Sequence, residues 1–237
     1  MRKLSGLAVV AAILAFHGVA AGSAASKDAE QLRKAADVVR EILEAPDNGI
    51  PQDLMNKAVC VGVVPAELRF AFVVGGSYGR GVLVCRRGGN GLWGAPSMFT
   101  VGGASLGFQI GGRATDVVFV VMNASGARKL VQDSVKLGAD ASVAAGPVGR
   151  TAEGATDAQM HAEILSYSRS QGVFAGVALN GAVLKQDRDD NKALYGRRVT
   201  ARQILIQGIV RVPAAARPLD HVLARYSPRG GEPFHAA

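Results

Sequence analysis

The chain has 237 residues, of which 30 are glycine, 49% are apolar, 5% aromatic and 19% charged. The apolar share is too high for a disordered chain, and the glycines show no three-residue period, which excludes collagen. Lys and Arg exceed Asp and Glu by 27 to 19, a formal +8; that balance suits an anionic partner without choosing between lipid headgroups and nucleic acid.

Residues 1–25 read as a secretory signal peptide. Arg2 and Lys3 form a positive n-region, Leu7 to Phe16 is an almost unbroken apolar run, and Val19 to Ala25 supplies small residues around Gly22-Ser23-Ala24. The apolar run is shorter than the roughly 20 residues of a membrane span. Removing the segment takes two cations and no acid, which leaves +6. The expected product is exported, periplasmic or secreted, and at most peripheral to a membrane.

From Asp28 to Ala45 the apolar residues Leu32, Ala35, Ala36, Val39, Ile42 and Leu43 recur at helical spacing, with Asp28 and Gln31 as a capping pair. Pro51 to Ala58 is a candidate second helix with Pro51 in its first turn. Strand signals follow at Val59–Val64, Phe70–Gly75, Gly79–Cys85, Met98–Leu106, Leu106–Gly111 and Val117–Met122, bounded by Gly, Pro and Asn. Ser125 to Val135 reads as a helix. Asp140–Ala145, Ile164–Ser168, Val173–Leu179 and Ala182–Gln186 extend the sheet. Thr200-Ala201-Arg202-Gln203 is a capping box that opens a helix towards Val210, and Leu219 to Tyr226 is a last short helix. The tail, residues 227–237, is Gly- and Pro-rich and expected to be disordered. Residues 26–226 thus form one α+β domain. Its sheet is mostly antiparallel and curved, barrel- or sandwich-like, with flanking N- and C-terminal helices. Paired glycines such as Gly75-Gly76 and Gly102-Gly103 supply the turns and bends of such a sheet.

Cys60 and Cys85 both end up in strand-like runs. An even count in an oxidising compartment allows one disulfide, and two buried thiols are the alternative; the disulfide is the expectation. A zinc site is not expected, because no His accompanies the pair. Gly-x-Ser-x-Gly occurs around Ser77 and Ser105, yet a nucleophile elbow needs a strand-to-helix turn, and strand follows in both places. No P-loop and no dinucleotide fingerprint is present. Asp187-Arg188-Asp189-Asp190-Asn191 lacks the Gly and Glu of a calcium loop and reads as a solvated turn. No enzyme activity, cofactor or metal is expected from these motifs.

Cations that would hold phosphate are Arg80, Arg86, Arg87, Arg150, Lys185, Arg188, Arg197 and Arg198. They occur singly and in small groups, and they form an anion site only where they converge on one face. Export and the shortage of aromatics for base stacking argue against nucleic acid.

Several ordered motifs carry a resemblance over residues 28–226. They are Ile50-Pro51 with Leu54 and Ala58; Gly75-Gly76-x-x-Gly79-x-Gly81; Trp93-Gly94-Ala95-Pro96-Ser97; and the Gly-rich stretch from Gly102 to Gly112. They continue with Gly138-Ala139-Asp140-Ala141-Ser142-Val143 through Gly146-Pro147 to Arg150, then Tyr167-Ser168 to Gly181, Asn191 and Tyr195-Gly196. Together these resemble the SYLF domain family, which includes exported bacterial proteins and eukaryotic lipid-binding actin regulators. The resemblance implies phospholipid binding without catalysis. The partner it implies here is an anionic phospholipid or a membrane surface. The leader points to an exported bacterial member, for which actin is not an expected partner. An envelope protein-interaction or structural module is the alternative.

Overall fold

A computed structural model describes residues 7–45, 49–71, 75–105, 111–149, 156–170, 173–177 and 179–228. The first helix, α1 (Leu7–Glu44), is continuous through Asp28, so Asp28 is not a helix cap. Its apolar stripe of Leu32, Ala35, Ala36, Val39 and Ile42 is buried against the sheet. That stripe caps the core, the usual use of an amphipathic helix, and leaves no free apolar face along this segment. A single turn of helix, α2 (Gln52–Lys57), follows Pro51.

Nine strands form one sheet: β1 (Cys60–Ala71), β2 (Gly75–Cys85), β3 (Ser97–Ser105), β4 (Gly111–Val121), β5 (Ser134–Lys136), β6 (Val143–Ala145), β7 (Ile164–Ser170), β8 (Val173–Gly176) and β9 (Val183–Gln186). The order is β5-β9-β3-β2-β1-β4-β7-β6, with β8 also on β7. The sheet is strongly curled into a half-barrel. Among the described strands, β6 and β7 pair in parallel and the other strand pairs are antiparallel.

Both faces of the central strands are apolar, which is why they read as continuous runs of Val rather than strict alternation. Val61, Val63, Val82, Val84, Val118 and Val120 point to the core under α1 and α7 (Arg217–Tyr226). Their neighbours Cys60, Val64, Leu83, Val117, Phe119 and Val121 point to a second core under α3 (Ala124–Leu130) and α6 (Ala201–Leu205). Each buried side chain of this size is worth about 1.5–3 kcal/mol over its exposed state.

Phe70–Gly75 is not a strand of its own. Phe70 and Ala71 end the long β1, and Gly75 opens β2. The extra length is accommodated by a bulge near Pro65, where the register slips against both neighbours. Ala66 adopts a positive φ of 54° there, and its N–H donates to Asp116 Oδ1 at 2.9 Å. Of the expected strand Leu106–Gly111, residues 106–110 lie outside the described residues. Cys60 and Cys85 face each other and are disulfide-bonded. Arg86 N donates to Val59 O, so the two cysteines form a non-hydrogen-bonded pair, the position at which cross-strand side chains come closest.

Three local expectations are corrected. The Ser125–Val135 helix stops at Leu130, and Ser134–Lys136 instead pairs with β9, because the edge of the sheet offers backbone partners that a longer helix would forgo. The Asp187–Asn191 turn is the start of a helix, α5 (Arg188–Tyr195): Asp187 is its cap, accepting from Asp190 N at 3.0 Å, and Gly196 at φ 67° ends it. Ser227 belongs to the fold rather than to the tail. It is fully buried, its carbonyl accepts from Trp93 Nε1 at 2.9 Å, and its hydroxyl donates to Met55 O at 2.7 Å. A further short helix, α4 (Asp157–His161), begins at a capping box of Thr156 and Gln159 that the sequence reading passed over.

Two motif glycines are close-approach positions. A Cβ on Gly146 would sit 2.1 Å from Tyr167 Cζ, and one on Gly176 would sit 2.1 Å from Gly146 O. The Gly146-Pro147, Tyr167 and Gly176 motifs are therefore one packed unit, whose strands cannot approach if a side chain intervenes.

Candidate functional site

Asn191 decides where the chain carries its charge. It is fully buried, with Oδ1 accepting from Met98 N at 2.8 Å and Nδ2 donating to Ser97 Oγ at 3.2 Å. Tyr195 OH donates to Pro96 O on the same side. These bonds pin one face of α5 to the start of β3. Beside this pinned face Arg188 and Lys192 are exposed, and their four-residue spacing makes them neighbours on the helix. Past Gly196 the chain turns back, so that Arg198 faces the same space. Val199 is buried beneath, and Thr200 caps α6. Arg188, Lys192 and Arg198, with Asp189, Val199 and Thr200, line a cleft of about 330 Å³. A second cleft of about 520 Å³ shares Thr200 and carries Arg202, Gln186 and Asp133.

The eight cations chosen from sequence separate into different roles. Arg188 and Arg198 come together in the cleft. Lys185 is exposed on β9, and Arg197 is exposed with one guanidinium nitrogen donating to Ile209 O at 3.0 Å. Arg87 is exposed in the turn after β2. Arg150 lies outside the described residues. Arg80 is bound between two carboxylates, Asp28 at 2.9 Å and Asp190. Arg86 is in the interior, where it donates to Ala58 O at 2.9 Å, Ser227 O at 2.8 Å and Ser227 Oγ at 2.6 Å, and lies 4.1 Å over the Trp93 ring. It is a clamp that joins β2 to the C-terminal segment, and it presents nothing to a surface ligand. Lys192 is missed when Asp187–Asn191 is taken for a turn. The Asp187 cap and the Gly196 stop are the signals that reveal the helix, and with it the four-residue spacing.

Charge around the cleft is mixed. Arg188 donates to Asp133 at 2.7 Å, and both side chains are exposed. Burial and the charge of Asp190 push the Asp28 carboxyl above its usual range. Ser77 sits mid-strand, opposite Gly103 on β3, so its Gly-x-Ser-x-Gly is not an elbow. The cleft can hold an anion by charge and by guanidinium hydrogen bonds. Among the described residues no helix is long and apolar enough to cross a membrane.

Comparison with known proteins gives the same frame as the motifs. The chain is 39% identical over 177 residues to an SH3 domain-containing protein of Schizosaccharomyces pombe, covering 73% of this chain and 40% of that protein. It is 34% identical over 201 residues to Protein YSC84 of Saccharomyces cerevisiae, covering 81% and 42%. It is 30% identical over 203 residues to SH3 domain-containing YSC84-like protein 1 of Bos taurus, covering 83% and 59%. The chain thus spans less than two thirds of the length of each of these relatives. Residues 102–226 match the family described as Ysc84, Las17-binding protein actin regulator, a stretch that holds β4, the Gly146–Tyr167–Gly176 unit and the whole of α5, and the chain belongs to this SYLF family.

Proposed function

We propose that the chain is a non-enzymatic domain that binds anionic phospholipid headgroups, and that Arg188, Lys192 and Arg198 receive the phosphate. The observation that supports this is their convergence on one cleft, beside the face of α5 that Asn191 pins to β3. A volume of about 330 Å³ lies at the lower end for ligand pockets. It suits a headgroup, and acyl chains would stay outside. The stripe of α1 does not serve them, since it is already buried on the sheet. The leader-like residues 1–25 and the Cys60–Cys85 disulfide support an exported, envelope location for this activity.

Co-sedimentation with anionic and neutral vesicles at low salt tests the reading. Binding to anionic vesicles alone is expected, and it should weaken as salt rises and screens the exposed cations. Failure to bind either kind overturns it. A second reading has its own support: the family description and relatives such as LAS seventeen-binding protein 3 are named for a protein partner. In that case the same exposed face would meet an acidic protein surface, and a stoichiometric protein complex, recovered without co-purified lipid, would decide for it.

A further inference from the structure

We propose that Asp133 sets the specificity of the basic cleft, by holding Arg188 as a resident monoanion that a phosphomonoester displaces more readily than a phosphodiester. The inference rests on the anion-binding reading above.

Asp133 is an exposed acid held by two donors. Its Oδ1 accepts from Arg188 Nη2 at 2.7 Å and also from Gln186 Nε2. Gln186 is itself fixed from two sides. Its Oε1 accepts the Ala201 N–H at 3.0 Å at the start of α6, and its backbone pairs with Phe99 in the sheet. A bonded chain therefore runs from α6 through Gln186 to Asp133 and ends on the guanidinium of α5. Arg188, followed by Gln186, holds the Asp133 carboxyl below its usual range, so it is charged at neutral pH. Arg188 lines the first cleft, while Asp133 and Gln186 line the second. The ion pair thus stands on the boundary between the two.

A ligand that uses Arg188 must take it from Asp133. A phosphodiester carries one negative charge and replaces one negative charge. It gains nothing on Arg188 and competes with a carboxylate already tethered in place, which acts at high effective concentration. A phosphomonoester carries about −1.5 to −2 at pH 7 and three acceptor oxygens. Its additional charge falls on Lys192 and Arg198, which Asp133 leaves unserved. The same chemistry is offered by a lipid headgroup and by a free phosphomonoester.

The test compares phosphatidylcholine vesicles doped with phosphatidate or with phosphatidylglycerol, matched in surface charge, with sn-glycerol 3-phosphate as the soluble arm measured by titration calorimetry. Wild type is expected to prefer phosphatidate. Asp133→Asn should tighten binding to phosphatidylglycerol by about two- to fivefold, the range for releasing an exposed ion pair, and so reduce the preference. In an Arg188→Gln background the same change should have no effect, which a merely structural role for Asp133 would not produce. Vesicle binding with this pattern identifies the source as lipid; binding of glycerol 3-phosphate without binding of either vesicle type, weakened by Arg188→Gln, identifies a free phosphomonoester. Equal binding of both vesicle types by wild type, or an Asp133→Asn variant identical to wild type, overturns the proposal and leaves the anion-binding reading standing. No binding to any of the three probes overturns both.

Discussion

Arg86 carries its charge into the interior, and among the described residues the groups that meet it are carbonyls, one hydroxyl and the Trp93 ring. Burial lowers its pKa to about 10, so it remains a cation at neutral pH. Its cost is offset because each guanidinium nitrogen meets an oxygen. Arg86→Ala should therefore lower unfolding stability by about 1–3 kcal/mol, the range for leaving a buried acceptor such as Ala58 O without its donor. Urea unfolding measures this. A loss below 1 kcal/mol would show that the interior reading is wrong. Nothing in Cys85-Arg86-Arg87 announces the role. Two adjacent arginines read as a solvated pair, and the oxygen atoms that bury the first belong to Ala58 and to Ser227, 141 residues away.

Single elements are held by two staples of different kind. The Cys60–Cys85 disulfide joins β1 to β2 across 25 residues. On the chain-entropy model a loop of that size is worth about 3.5 kcal/mol. Replacing both cysteines with alanine should cost at least this much in chemical denaturation, and an unchanged midpoint would contradict it. The other staple is polar. Arg80 of β2 ties Asp28 of α1 to Asp190 of α5, and one Asp28 oxygen has no partner among the described residues. Burial and the nearby Asp190 raise the Asp28 carboxyl above its ordinary value of 3.8. A carboxyl raised on folding binds its proton more tightly in the native state. Its contribution to stability is full below the ordinary value and is lost as pH rises through the folded one. Wild type should therefore gain stability relative to Asp28→Asn as pH falls from 7 towards 4. Parallel curves for the two proteins across that range would refute the assignment. The disulfide was legible as two cysteines in strand-like runs. The polar staple was not, since Asp28 looked like a helix cap and Arg80 like a ligand-binding cation.

At the scale of the molecule, α5 and the turn after it bring Arg188, Lys192 and Arg198 to one cleft. Neutralising Lys192 and Arg198 together, as Lys192→Gln with Arg198→Gln, removes two cations, each worth about 1 kcal/mol near an anionic membrane surface. Binding to anionic vesicles should fall about thirtyfold, while the melting temperature stays unchanged because both side chains are exposed. A fall in melting temperature that parallels the loss of binding would assign these residues to the scaffold instead. By itself, the sequence determined the α+β class, the mostly antiparallel curved sheet, the cysteine pair, the Thr200–Gln203 cap and the family, because these depend on local periodicity, on turn residues and on motifs read in order. Tertiary structure decided which cations are available. Of eight chosen by charge, Arg86 is buried, Arg80 is bound to two carboxylates, and Arg188 and Arg198 share a cleft with a lysine that was overlooked. The physical reason is that a charge is defined by its residue type, while its solvation and its partners are set by strands and helices far apart in the chain.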